Sequence, residues 1–318
     1  MAQPYGIRGE FRLHDTRFRD LVPGNGFLEK LYTGALWAEG PVYFPAGDYL
    51  LFSDIPNNRI LRWVPDGGGG AGCVLEFRRP SNFTNGNTRD REGRLVSCEH
   101  GTRCVSRTET DGRRTVLASA FEGKRLNSPN DVVVGPDGAV WFTDPSYGIL
   151  SDYEGYTAEP EYGGRNVFRV DAATGRVEAA VTDFVQPNGL AFSPDGARLY
   201  VADSGASHDA DGPRHIRVFD VLRGGRLGGG SVFATVDAGF PDGVRVDMQG
   251  NVWTGAGDGV HCFSPRGELL GKILVPEPVA NLEFGGPRGH RLFITATSSL
   301  YACYVGVPGA WAHGLRAG

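Results

Sequence analysis

Glu39, Asn85, Asn130, Asn188, Asp242 and Asn281 each stand eight residues ahead of a glycine: Gly47, Gly93, Gly138, Gly196, Gly250 and Gly289. Two carboxylates and four carboxamides share this phase, and no cysteine or histidine does, so the donor set is oxygen alone. Hard cations such as Ca2+ take roughly six to eight oxygen ligands at about 2.3–2.6 Å. Two carboxylates would balance a divalent charge, with amide oxygens and water completing the shell. An Asn or Asp at a strand start can instead do no more than satisfy backbone groups. That role would accept Ser, Thr or Gly equally, and it gives no reason for Glu39.

The elements that must position these residues are written in the same repeat. Each leading residue opens a phrase of about four strand residues, a turn ending in glycine, and further strands, as in "NDVVVGPDGAVWFTD" and "NGLAFSPDGARLYVAD". Period-two alternation, β-branched and aromatic enrichment and Gly/Pro/Asp punctuation indicate antiparallel strands. Each copy extends to four strands: "RLYVAD" is followed by "HIRVFDV" and "SVFATV". A four-stranded unit of this length, occurring six times, predicts an all-β, six-bladed β-propeller around a central channel. The sixth copy lacks an outer strand, and residues 28–34, "LEKLYTG", are available to supply it and so remove exposed sheet edges. The expected organisation is an N-terminal extension over 1–26, one propeller over 27–307 and a tail over 308–318. Because the first strand of every blade lines the channel, the six leading residues are expected to converge in a ring at one mouth.

Composition narrows the function classes. The chain of 318 residues is 40% hydrophobic and 22% charged with 48 glycines, the balance of a globular protein rich in tight turns. Net charge is −5 and the basic residues are scattered, which argues against nucleic acid as a partner. No apolar run reaches the roughly 18 residues that span a bilayer, and the N-terminus lacks a signal pattern. Five cysteines without metal-type spacing indicate reduced, buried thiols and a cytoplasmic setting. The histidines share no phase of the repeat and are expected at turns or on the surface. No GxSxG elbow occurs, which disfavours serine-hydrolase chemistry.

The segments "AEGPVYFPAGDYLLFSDIPNNRILRW", "SPNDVVVGPDGAVWFTDPSYGI", "QPNGLAFSPDGARLYVADS" and "FPDGVRVDMQGNVWTGAGDGV" resemble the gluconolactonase, senescence-marker-protein and luciferin-regenerating-enzyme family of metal-dependent lactonases. "RPSNFTNGNTRDREGRLVSCEHGTR" is similar to its bacterial gluconolactonase branch. The resemblance implies one divalent cation held by Glu39, Asn130, Asn188 and Asp242. Ca2+ is the first expectation, with Mg2+, Mn2+ or Zn2+ as alternatives. The animal members carry an arginine where this chain has Ser128; Arg125 lies nearby in sequence.

The implied reaction is opening of a sugar lactone, such as glucono-1,5-lactone, with a cation polarising the carbonyl and a carboxylate taking a proton from water. Asp242 is the first candidate for that base and Asp131 the second. Asn82, Asn85 and Asn130 are candidate substrate contacts, and the insertion 145–164, with its four tyrosines, is either a lid or a plain surface loop. Two other readings stay open: a phosphotriesterase-like hydrolase on the same scaffold, and a non-catalytic binding propeller. The implied partner is a small-molecule lactone, with neither nucleic acid nor membrane, and the sequence is silent on oligomeric state.

Overall fold

Short apolar runs broken by glycine turns fold here as hairpins added side by side. The computed structural model describes residues 10–310, except 25, 68 and 69. Six antiparallel sheets follow one another along the chain as the blades of a propeller. Blade one comprises Ala38–Phe44, Tyr49–Asp54, Arg59–Val64 and Cys73–Arg78, paired in that order. Blades two to five begin with Thr84–Arg89, Val132–Val134, Pro187–Phe192 and Val244–Val246, and blade six with Val279–Gly285. No helix among the described residues is long and apolar enough to cross a membrane.

The ring closes through the chain's beginning. Glu29–Thr33 pairs antiparallel with Ser299–Tyr304 and forms the outer strand of blade six. Around that seam, Tyr43, Phe52 and Trp63 of blade one pack with Phe293 and Leu300 of blade six and with Leu31. Each such fully buried side chain contributes about 1.5–3 kcal/mol. The segment expected only as an extension adds a further strand: Phe11–Leu13 pairs with Lys272 and its neighbours at the edge of blade five. Phe18 follows it into the core, fully buried against Trp253. Residues 1–9 and 25 of that extension, and 311–318 of the expected tail, lie outside the described residues.

Blades meet closely at the axis because glycine follows most of the leading residues. A Cβ on Gly40 would lie 2.1 Å from the Asn85 carbonyl oxygen, and one on Gly86 would lie 2.4 Å from that of Asn130. A Cβ on Gly189 would likewise lie 2.3 Å from the Asp242 carbonyl oxygen, and one on Gly243 would lie 2.1 Å from the Asn281 side-chain Oδ1. Gly40 also has φ +47°, a backbone state that side chains with a Cβ rarely adopt. In blade one the left-handed residue of the first turn is Asp48, not Gly47, a shift of one position from the other five copies.

Candidate active site

A recurring irregularity aims the leading side chains. The pairing of first and second strands shifts register between Glu39 and Val42, Thr84 and Asn87, Pro187 and Leu190, and Val279 and Asn281. A β-bulge bends its strand and re-aims a side chain. Asn130 and Asp242 lie just ahead of the first strands of blades three and five. All six leading residues are buried. Second-strand carboxylates brace the approaches: Asp203 accepts from the Val185 and Gln186 amides at 3.1 and 2.9 Å, fixing the run into Asn188.

Side chains from distant blades touch at the axis. Asn281 Nδ2 donates to Glu39 Oε2 at 3.0 Å and lies 3.5 Å from Asp131 Oδ2. Its Oδ1 accepts from the Leu282 amide at 2.8 Å, so Asn281 turns its nitrogen, not its oxygen, toward the carboxylates. Asp131 Oδ1 accepts from the Val132 amide at 2.9 Å, and its Oδ2 faces Arg245 Nη1 at 3.6 Å. Arg245 Nε donates to Glu283 Oε2 at 2.8 Å. The Asn188 side chain lies within hydrogen-bonding reach of Asp242 and offsets part of the effect of its burial.

The charges do not balance on protein groups alone. Arg245 is shared by Asp131 and Glu283, while Glu39 and Asp242 each feel further carboxylates. Burial, then the Asp131 charge, pushes Glu39 up to about 8. Burial, then the Glu39 and Asp131 charges, raises Asp242 well above the usual carboxylate range. Asn85 Oδ1 is buried with no hydrogen-bond partner among the described residues. Buried carboxyl groups in excess of the basic groups that face them, in an all-oxygen donor set, fit a hard divalent cation.

Above the ring sits the insertion 145–164. Its helical turn, Tyr147–Leu150, is anchored by Ser128: Ser128 Oγ donates to the Pro145 carbonyl at 2.8 Å and accepts from the Gly148 amide at 3.0 Å. Ser128, where the resemblance expects arginine, is thus buried under the insertion, and Arg125 is exposed. Tyr147 bonds Ser207 at 3.0 Å, and Tyr156 meets the Phe83 ring edge-on at 5.3 Å. Asn82 donates Nδ2 to Glu99 Oε2 at 2.9 Å, so its amide oxygen is what it retains for a ligand.

Three residues at this mouth escape the sequence pattern. Arg245 stands three residues after Asp242, where the other copies have Val42, Thr88, Val133, Ala191 and Phe284; a charge at that position is the signal that marks it. Glu154, partly buried in the insertion, is pushed up to about 7 by burial and adds to the field on Asp242. His100 is not at the surface but fully buried, bonded through Nδ1 to the Glu154 carbonyl. His261 is buried as well; it forms a cluster with Asp237 and Asp258 on blade five that includes none of the ring residues. There Lys272 already pairs with both aspartates, 3.0 Å from Asp258. A cavity of about 490 Å³ opens at the far ends of the first strands, among Pro136 and Phe192, and reaches inward to Arg245 and Glu283; none of the six leading residues lines it.

A six-bladed propeller with an acid-amide ring at one mouth is the class that fold and site define. The chain belongs to the SMP-30/Gluconolactonase/LRE-like family, whose model matches residues 37–298. It is 36% identical over 294 residues to a gluconolactonase of Zymomonas mobilis, covering 86% of this chain and 80% of that protein. A solved gluconolactonase of Xanthomonas campestris superposes with a TM-score of 0.87 at 36% identity, over 96% of this chain and 98% of that one. A solved putative gluconolactonase does so with the same score at 40% identity, over 94% and 99%.

Proposed function

We propose that this protein is a lactone-hydrolysing enzyme that opens a sugar lactone, of the glucono-1,5-lactone kind, to its acid at the ringed mouth. The single observation that carries the reading is the crowding of buried carboxyl groups at Glu39 and Asp242, within a chain similar along most of its length to gluconolactonases. Glu39, Asn130, Asn188 and Asp242 would hold one divalent cation, Ca2+ by the hardness of their oxygens. When bound there, such an ion supplies Lewis acidity to the lactone carbonyl.

The protein's own groups divide the remaining work. Asp242 takes the proton from the attacking water, since Asp131 is committed to Arg245, Asn281 and the Val132 amide. Asn281 and the Gly40 amide hold Glu39 in place through Oε2. Asn85 and Asn130 face the substrate, with Asn82 at the rim. The insertion 145–164 roofs the mouth and limits water, with Tyr147 and Glu154 on its inner side.

Hydrolysis of glucono-1,5-lactone, followed by acid release with and without chelator, tests the reading. Turnover that chelator abolishes and Ca2+ restores is expected, with Asp242→Ala and Glu39→Ala inactive while still folded. Full turnover by metal-stripped protein would sink the cation role. No turnover of any lactone by folded, Ca2+-loaded protein would leave a binding propeller.

A further inference from the structure

His100 is buried at 1% exposure between the ring and the insertion. Its Nδ1 lies 3.0 Å from the Glu154 carbonyl oxygen, an acceptor only, so Nδ1 carries the proton. Its Nε2 lies 3.4 Å from Asn85 Nδ2. Burial holds the imidazole at about 4, so it is neutral near pH 7 and Nε2 is a bare acceptor. A carboxamide facing a bare acceptor must present its nitrogen, which turns its oxygen the other way. That oxygen, Asn85 Oδ1, is the buried atom without a partner. The ring is also held against rotation: a Cβ on Gly148 would lie 2.4 Å from His100 Cγ, so the helical turn of the insertion rests directly on the imidazole.

We propose that His100 is a specificity-determining positioning residue, which fixes the Asn85 carboxamide so that its oxygen accepts a hydrogen bond from a substrate hydroxyl. The inference rests on the lactonase reading and deepens it: the preferred substrate is a polyhydroxylated lactone, and a lactone without hydroxyls leaves Asn85 Oδ1 unmatched. A site built to bond a hydroxyl rejects the analogue that lacks it far more strongly than an apolar pocket does. His100 reaches substrate only through Asn85, and through the Glu154 carbonyl it ties the insertion to blade two in the same gesture.

The test compares glucono-1,5-lactone with δ-valerolactone, the same six-membered ring without hydroxyls, the latter as substrate or, if not turned over, as competitive inhibitor. In His100→Leu, kcat/KM for gluconolactone should fall roughly 10- to 100-fold, mostly through KM, with the δ-valerolactone constant almost unchanged. His100→Gln, whose amide can both donate to Glu154 and accept from Asn85, should recover most of the loss. If His100→Leu does not fold, Asn85→Leu decides the matter with the same expected selectivity. Equal losses on both lactones, or none on either, overturn the role of His100 while leaving the lactonase reading intact. Wild-type protein inactive on both lactones and bound by neither would overturn the two together.

Discussion

Asn281 Nδ2 sits 3.0 Å from Glu39 Oε2 although 242 residues separate the two in sequence. The contact crosses the seam where the last blade meets the first, so ring closure and the shape of the acidic site are one arrangement. A hydrogen bond to a charged group contributes about 1.5–3 kcal/mol. Asn281→Leu should therefore weaken Ca2+ binding by roughly tenfold or more, read by calorimetry, because Glu39 loses a donor that fixes its carboxylate.

Arg245 bears on stability more than on binding. Its side chain is 13% exposed and lies between Asp131 and Glu283, which are 1% and 11% exposed. Removing one partner of a buried ionic group leaves uncompensated charge and costs about 3–5 kcal/mol. Arg245→Met should lower the urea midpoint by that measure, and adding Asp131→Asn and Glu283→Gln should restore a large part. An unchanged midpoint in Arg245→Met would rule out the account.

Gly40 and Gly93 make a matched pair. Both have positive φ, yet a Cβ on Gly93 meets nothing within 4 Å, whereas one on Gly40 lies 2.1 Å from the Asn85 carbonyl. Gly93→Ala should cost only the strain of its turn, about 1 kcal/mol. Gly40→Ala should cost several times more and also abolish lactone hydrolysis, since blades one and two would separate beside Glu39. Equal destabilisation of the two variants in denaturant titrations would contradict this.

His100 makes stability depend on pH in mild acid. Its pKa is about 4 in the folded protein against 6.5 for the free side chain. Between those values the unfolded chain binds the additional proton, so a loss of stability sets in below 6.5 and is complete once pH falls below 4. Integrated over that window it amounts to about 3 kcal/mol. Urea midpoints for wild type and His100→Gln, which has no proton to take up, should lie close together above pH 6.5 and diverge as pH falls toward 4, with wild type the less stable.

Much of this was legible in the sequence because propeller blades repeat their chemistry. The phase of Glu39, Asn130, Asn188 and Asp242 against their turn glycines marked residues the structure buries at the axis, and the strand over 28–34 was visible as a run without a blade. What the pattern could not carry is direction. Asn281 keeps the phase, but its oxygen is taken by its own strand's Leu282 amide, so it serves the ring as a donor. His100 looked like a turn residue because nothing in one blade announces that an insertion from the next will cover it. Phe11–Leu13 is too short to show a period, and its place at the edge of blade five depends on Phe18 reaching Trp253.

The outer strand of blade six comes from Glu29–Thr33, its other three from the opposite end of the chain. A ribosome must therefore release the three later strands of blade six, through Tyr304, before the circle can be joined, and Glu39 of blade one waits until then for Asn281. Such distant pairing makes folding slow and leaves a sheet margin bare in every shorter nascent chain. Enzyme competence should then emerge in one late step during synthesis, with no partially active fragment along the way.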